Sequence, residues 1–231
     1  MSKDIRKWLL YEGSNFYIKQ LLFNRHNFKY LKRLVAKRIK LTDGENALKV
    51  ELVYSIPLKQ HIYVHSTRSY SYSGFYEYNV VKYLRKKARE VQPCLFINIG
   101  AYVGYYSLLM AREGCDVIAF EPDPRNFVLL MNNLVMSRFR QRITALNKAV
   151  CDKQDSWVYF DLSKSPSESS STIYLKEELV EFASYVPCTT LDALISTLNL
   201  SGKNLIVKVD VEGAFLSVLR GATYVIANLK P

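Results

Sequence analysis

Two glycines and one glutamate stand out by their residue types and spacing. Gly100 and Gly104 follow the apolar segment CLFIN at 94–98 and precede a helical pattern. Glycine leaves the backbone bare, so a ligand can approach the amides at the start of that helix. Glu121 comes 21 residues after Gly100, close to the offset of about 20 residues at which a carboxylate meets ribose hydroxyls. The G-x-x-x-G spacing favours a ligand smaller than a dinucleotide.

Each of these features also has a purely structural interpretation. The glycines are compatible with a tight turn and close helix packing, and Glu121 with a solvated strand end.

Strands and helices alternate around these residues. The pattern predicts strands at 94–98, 116–120, 143–150 and 204–209 and helices at 76–89, 105–112 and 126–136. Such alternation is typical of an α/β protein with a parallel, doubly wound sheet. Before the last strand lies a longer insertion, with a predicted strand at 157–160, a serine-rich loop and candidate lid at 163–172, and an acidic helix near 175–183.

Four segments, in this order, resemble the FkbM-type S-adenosylmethionine-dependent methyltransferases: NIGAYVGYYS, FEPDPRNF, VPCTTLDALI and IVKVDVEGAFLSVLRGA. The resemblance predicts a methyltransferase domain at 76–231 and leaves a basic extension at 1–75. It implies a class I methyltransferase Rossmann-like sheet and O-methylation of a hydroxyl, often on a sugar or polyketide. The sheet is expected to be truncated at the C-terminus, because the chain stops at Pro231 where the family would begin another strand.

The resemblance also implies roles for particular residues. The cofactor, S-adenosylmethionine, would be held through its methionine part by the loop of Asn98, Gly100, Ala101 and Gly104. Its ribose would meet Glu121, while the residues flanking the adenosine pocket would be Asp123 and Asn126. Asn98 replaces the acid that the family has at this position.

Two carboxylates follow the strand NLIVKV. In the usual class I strand order this strand lies beside CLFIN, which places Asp210 and Glu212 at the crevice where ligands bind. We predict Asp210 as the base and Glu212 as its helper. The pair could instead bind Mg²⁺, or Glu212 could favour the N-terminus of the next helix. Phe215 stands where the family has a second glutamate.

Positive charge is concentrated in the first part of the chain. Residues 1–92 carry a formal charge of +12 and residues 93–231 a charge of −1. Phe28, Leu31, Val35 and Ile39 recur at helical spacing among basic residues, which predicts an amphipathic helix. Its basic face is either simply solvated or contacts an anionic membrane or nucleic acid. Residues 48–65 predict a short hairpin broken at Pro57.

Histidines and tyrosines before residue 79 give weaker indications. His65 could reach the site as a base, although a lone histidine is more often an ordinary packed residue. Several tyrosines lie around Arg68 and could stack on sugars or bases, or simply pack: Tyr63, Tyr70, Tyr72, Tyr76 and Tyr78.

The four cysteines are Cys94, Cys115, Cys151 and Cys188, and their spacing shows neither a CxxC pair nor a metal site. They are interpreted as reduced core thiols. No signal h-region or apolar run of about 18 residues is present. We therefore expect a cytoplasmic protein. It would be peripheral to the membrane if the basic segment binds there. A homo-oligomer is also possible.

Three functions follow as hypotheses. The first is an O-methyltransferase acting on a carbohydrate or glycolipid. The second is a nucleic-acid methyltransferase that grips its substrate through the basic residues. The third is a catalytically degenerate domain that acts as a basic interaction module, with Asn98 and Phe215 as its lesions.

Overall fold

The chain divides into two units, Met1–Lys82 and Tyr83–Pro231. In this computed structural model the described residues are 36–40, 49–65, 72, 76–161, 173–174 and 183–231. The predicted domain boundary after residue 75 stays a prediction. None of the described helices is long and apolar enough to cross a membrane.

The first unit contains an antiparallel sheet of three strands in the order β1-β2-β3. These are β1 (Ala36–Lys40), β2 (Lys49–Ser55) and β3 (Gln60–His65). The predicted hairpin is confirmed, since β2 and β3 pair with Val53 opposite Ile62 and the break at Pro57 lies in the turn between them. The buried side chains of Val53, Ile62 and Val64 stabilise this sheet from one face.

The predicted amphipathic helix is wrong at its C-terminal end. Ile39, the last residue of the proposed stripe, lies in β1 and pairs with Val50 of β2. The backbone hydrogen bonds of this strand pair outweigh the helical spacing, because tertiary pairing overrides a local pattern. The other three residues of the stripe lie outside the described residues.

The second unit is built on a parallel sheet with the order β11-β4-β5-β6. Its strands are β4 (Cys94–Ile99), β5 (Asp116–Phe120), β6 (Ile143–Leu146) and β11 (Asn204–Val209). The helix α1 (Tyr78–Glu90) begins in the first unit and ends in the second, before β4, and the helices between the strands are α2 (Tyr105–Arg112) and α3 (Pro124–Val135). The predicted α/β class and the pairing of NLIVKV with CLFIN are confirmed, with Val207 opposite Ile97.

One face of this sheet forms the main core. Its side chains pack against α4 (Leu191–Ser196), α5 (Phe215–Arg220) and a π-helical turn at Val225–Leu229. The central residues of this core are almost fully buried: Ile97, Ile99, Phe120, Val218 and Val225. Continuous apolar strands such as CLFINI are expected where both faces of a parallel sheet are covered.

A second sheet of four strands has the order β7-β10-β8-β9. It consists of β7 (Ala149–Val150), β8 (Ser156–Asp161), β9 (Ile173–Tyr174) and β10 (Ala183–Thr189). The predicted strand at 143–150 is therefore two strands, because Ala149 leaves the central sheet and pairs with Cys188. Ala183, the last residue of the predicted acidic helix, lies in a strand. The rest of that helix and the serine-rich loop lie outside the described residues.

The prediction of four reduced thiols is wrong. Cys94 and Cys115 form a disulfide with a Cα–Cα distance of 4.7 Å, and Cys151 and Cys188 form another with 6.1 Å. The sheet register explains the first pair, because Leu95 lies opposite Asp116 and the preceding residues are brought together. Sequence spacing cannot reveal such a pair, since the partners meet only after the strands align.

Candidate functional site

The loop from Gly100 to Gly104 joins β4 to α2 at the carboxyl ends of the strands. Gly100 has a φ angle of +84° and Gly104 one of +87°, in the left-handed region that favours glycine. A Cβ atom at Gly100 would overlap the carbonyl oxygen of Asp210, and one at Gly104 would overlap the side chain of Leu130. The packing of the protein therefore requires both glycines, in agreement with their interpretation as residues of a tight turn with close helix packing.

The amides of this loop are used within the protein. The N–H groups of Gly100 and Ala101 donate to the carbonyl oxygen of Phe120 at 3.0 and 2.8 Å, and that of Gly104 donates to Ala101 at 2.8 Å. These three amides fix the loop between β4 and β5. These three amides are therefore not available to a ligand, and neighbouring side chains would have to supply polar contacts in their place.

Asn98 provides one such side chain. It is 1% exposed in β4, and its Nδ2 atom donates to the Ser107 hydroxyl at 3.0 Å. Its Oδ1 atom is buried and accepts no hydrogen bond from the part of the chain that the structure describes. A buried acceptor without a donor is costly, at about 1–3 kcal/mol. An ammonium group placed here would satisfy it, even though Asn98 itself carries no charge.

Glu121 follows β5 and is 5% exposed. Its Oε2 atom accepts from the Tyr102 amide at 2.6 Å, and its Oε1 atom accepts from the Asp123 amide at 3.0 Å. The interpretation of Glu121 as a solvated strand end is therefore wrong. Each carboxylate oxygen has two lone pairs, so it can accept a ribose hydroxyl besides the backbone amide.

Burial changes the acidity of this carboxyl. Desolvation raises the pKa of Glu121 to about 8, and the nearby charge of Asp123 acts in the same direction. Hydrogen bonds from Tyr102, Asp123 and Asn126 act against the rise. The buried carboxyl thus carries little negative charge near neutral pH unless a ligand supplies further donors.

Asp123 and Asn126 surround Glu121 but differ in role. Asp123 is fully buried and caps α3, because its Oδ1 atom accepts from the Arg125 amide at 2.8 Å. The Arg125 guanidinium also reaches its Oδ2 atom at 2.7 Å. Asp123 therefore holds the start of α3 in place, and Asn126 bonds to Glu121 itself.

Asp210 directly follows β11 and lies beside the glycine loop. Its amide donates to the Ile99 carbonyl at 2.9 Å, while its side chain is 55% exposed. The Nζ atom of Lys208 lies 2.6 Å from its Oδ2 atom and 4.5 Å from the centre of the Tyr106 ring. Sequence reasoning missed Lys208 and Tyr106. The available signal was a single lysine inside the otherwise apolar strand LIVKV.

Glu212 lies two residues beyond Asp210 and is exposed. It lies two residues before Ala214, the N-cap of α5, so its interpretation as a charge that favours the N-terminus of that helix stays a prediction. Phe215 begins α5 and is 49% exposed. Among the described residues, no group of three or more His, Cys, Asp and Glu side chains could hold a metal ion.

The remaining candidates belong to the first unit. His65 is buried in β3, and the ring of His61 packs edge-on against Tyr54 at 5.2 Å. The rings of Tyr72 and Tyr76 lie 4.5 Å apart. Arg68 and Tyr70 lie outside the described residues.

The structure thus brings the predicted residues into two neighbouring groups. Glu121 and Asn126 meet Asp123 beside the loop at the end of β5. The carbonyl group of Asp210 lies against Gly100 at the end of β11, and Asn98 is the register partner of Lys208 in the strand pair. All lie at the carboxyl edge of a parallel sheet, where α/β proteins bind their ligands.

Comparison with known families gives one match, to the family model described as Methyltransferase FkbM domain, over residues 98–231. No curated protein matches the chain.

Three solved structures are each similar to about half of this chain. A SAM-dependent methyltransferase from Agrobacterium tumefaciens has 17% identity and a TM-score of 0.36, covering 48% of this chain and 34% of its own. A putative transferase from Pyrococcus horikoshii has 18% identity and a TM-score of 0.32, covering 46% and 43%. P. horikoshii TYW2 in complex with MeSAdo has 21% identity and a TM-score of 0.35, covering 53% and 46%. The chain thus spans less than half the length of each.

Proposed function

This chain belongs to the FkbM methyltransferase family, and we propose that it transfers the methyl group of S-adenosylmethionine to a hydroxyl of a carbohydrate or glycolipid. The observation that carries the proposal is the buried, unsatisfied Oδ1 atom of Asn98 at the end of β4. The cofactor's ammonium group is a donor of the kind that this atom requires.

The other cofactor contacts follow from the neighbouring groups. The Glu121 carboxylate has about four lone-pair sites and accepts from Tyr102, Asp123 and Asn126, so one site is left for a ribose hydroxyl. Asn126 orients Glu121, and Asp123 fixes the helix that carries Asn126. When bound, S-adenosylmethionine supplies an electrophilic methyl group attached to a sulfonium.

We assign the acceptor side of the reaction to Asp210. Its carboxylate is more than half exposed at the carboxyl end of β11, so a hydroxyl from solvent can reach it. Asp210 orients this hydroxyl and accepts its proton as the oxygen is methylated. Exposed Glu212 helps by binding a second hydroxyl of the acceptor. An acceptor rich in hydroxyls, such as a sugar, suits two neighbouring carboxylates.

Calorimetric titration with S-adenosylmethionine and S-adenosylhomocysteine tests the cofactor site. We expect micromolar binding by the wild-type protein and its loss in Glu121→Ala. The matched control is Glu90→Ala, which removes an exposed carboxylate of α1 that forms ion pairs with Lys86 and Lys87. No heat with either ligand in the wild type would refute the proposal.

Transfer of a labelled methyl group tests the acceptor. We would offer a panel of sugars and a glycolipid extract, and compare the wild type with Asp210→Asn. Loss of a general base lowers the rate by about 10²- to 10⁴-fold, and this loss should remain at cofactor concentrations that saturate the variant. Equal transfer by both proteins would remove Asp210 from the role of base.

The charge of +12 on residues 1–92 favours a second candidate, methylation of a nucleic acid. In that case oligonucleotides would bind with an affinity that falls steeply with salt. Vesicles of anionic lipid, tested in the same salt series, would reveal a membrane partner instead. Cofactor binding without transfer to any of these acceptors would favour the degenerate interaction module.

Location and assembly are also proposals. A cytoplasmic site of action, with peripheral membrane contact through the basic residues, was the expectation from sequence. The two disulfides weigh against a reducing compartment, because such bonds are rare in cytosolic proteins. Fractionation of cells under thiol-blocking conditions would locate the oxidised protein. Light scattering would determine whether it forms a homo-oligomer.

A further inference from the structure

Lys208 is an unusual residue for its position. It lies within β11, directly opposite Asn98 of β4, and only 13% of its side chain is exposed. Lysine is rarely buried unless its charge is paired. Its neighbours in the strand, Val207 and Val209, pack on the core at the other face of the sheet. Lys208 therefore points to the face that carries Asn98 and α2.

Two contacts hold its ammonium group. The Nζ atom lies 2.6 Å from Asp210 Oδ2 and 4.5 Å from the centre of the Tyr106 ring. Tyr106 is 5% exposed in α2, so the ring is a fixed surface for the cation. The carboxylate of Asp210, although 55% exposed, is thus tied to a nearly buried charge.

This ion pair adjoins the residues that fit the cofactor. Lys208 is the register partner of Asn98, and the backbone of Asp210 contacts Gly100. The pair carries no net charge, whereas either member alone would add a full charge beside the site. The sulfonium of S-adenosylmethionine is positive, and the sulfur of S-adenosylhomocysteine is neutral. A change in the net charge of the pair therefore changes the affinity for the sulfonium ligand more than the affinity for the neutral one.

We propose that Lys208 is a positioning residue that holds Asp210 at the cofactor site and sets how strongly the site prefers a sulfonium over a neutral sulfur. This inference rests on the proposed cofactor. The role of Lys208 can be tested by ligand binding alone, without an identified methyl acceptor and without turnover.

The test is the ratio of affinities for S-adenosylmethionine and S-adenosylhomocysteine, measured by calorimetry. Lys208→Met removes the charge and keeps an apolar stem against Tyr106, so the preference for the sulfonium should rise. Asp210→Asn leaves the ammonium unbalanced, so the preference should fall. Each change should be on the order of tenfold, as for a unit charge about 10 Å away at an effective dielectric constant of about 20.

Two further variants separate charge from folding. The double variant Lys208→Met/Asp210→Asn should return the ratio close to the wild-type value, and Lys208→Arg should preserve it. Lys203→Met is the matched control, because Lys203 pairs with Asp116 at the opposite end of the strands. It should leave the ratio unchanged. A purely structural defect would weaken both ligands alike and leave their ratio constant.

The outcomes distinguish this inference from the proposed function. Binding of both ligands with one ratio in all variants would overturn the role of Lys208 and leave the cofactor site intact. Absence of binding in the wild type would overturn both. If Lys208→Met does not fold in a thermal unfolding assay, Asp210→Asn still tests the direction of the change, and Lys208→Arg still tests whether the charge alone preserves the ratio.

Discussion

Replacement of Glu121 by glutamine tests the electrostatics of the site without any ligand. Glutamine has nearly the shape of a protonated glutamic acid but does not titrate. Burial raises the pKa of Glu121 from an ordinary 4.5 to about 8 in the folded protein. Between these values the folded state keeps a proton that the unfolded state has released. The free energy of unfolding should therefore fall as pH rises from 4.5 to 8 and stay constant above that range.

The size of this effect follows from linkage. One proton gives a slope of up to about 1.4 kcal/mol per pH unit, and the whole range gives about 5 kcal/mol as an upper limit. Glu121→Gln should lack this slope. It should also carry a constant penalty of about 1–3 kcal/mol, because the new amide nitrogen cannot accept from the backbone amide of Tyr102 or Asp123.

Urea unfolding followed by circular dichroism between pH 5 and pH 9 measures both quantities. The unfolding free energy of the wild type minus that of Glu121→Gln should be positive at pH 5 and should fall as pH rises to 8, because only the wild type loses stability; at the upper limit of about 5 kcal/mol it becomes negative. Glu90→Gln, which changes an exposed carboxylate, should parallel the wild type. A difference that stays constant from pH 5 to pH 8 would refute the reasoning and show that Glu121 is ionised throughout.

Three further predictions concern the framework of the site. Gly100→Ala should lower the unfolding free energy by at least about 2 kcal/mol in urea titrations, because alanine resists a φ of +84° and its methyl group would overlap Asp210; an unchanged midpoint would contradict this geometry. Asp123→Ala should cost about 1–3 kcal/mol in the same assay, since the cap of α3 and the pair with Arg125 are lost, and equal stability would show that neither matters. In protein unfolded without reductant, all four cysteines should resist alkylation, and alkylation before reduction would disprove the pairing. Reduction should lower the free energy of unfolding by about 3–4 kcal/mol for each disulfide, because the two bonds close loops with sequence separations of 21 and 37 residues.

Local patterns predicted the central elements well. The predicted helix at 105–112 and strand at 116–120 have the observed bounds, because glycines mark the loop before the helix and an apolar run marks the strand. Placement of β11 beside β4 required only the strand order of the fold. Patterns failed where distant pairing decides the structure. Ile39 is in a strand because β2 lies beside it, and β10 forms because β8 does.

The same distinction applies to the site. Glu121 and Gly100 could be predicted because their function depends on offsets along the chain. Lys208 could not, since its importance arises from Asn98 on a neighbouring strand and Tyr106 on a helix. The disulfides are of this kind too. A residue whose partners are separated by many positions shows its role only when the register of the sheet is known.

The engaged loop amides change what the glycine motif means for this chain. Since the amides of Gly100, Ala101 and Gly104 all donate within the protein, the glycine motif determines the shape of the loop. Side chains near the loop then take a larger part in binding the cofactor. Asn98 then matters more than its lack of charge suggests, because its buried Oδ1 atom is available to a donor. A site that relies on a neutral amide and a largely protonated Glu121 has little negative charge of its own. The ion pair of Lys208 with Asp210 therefore decides the balance of charge that a positively charged cofactor meets at the end of β11.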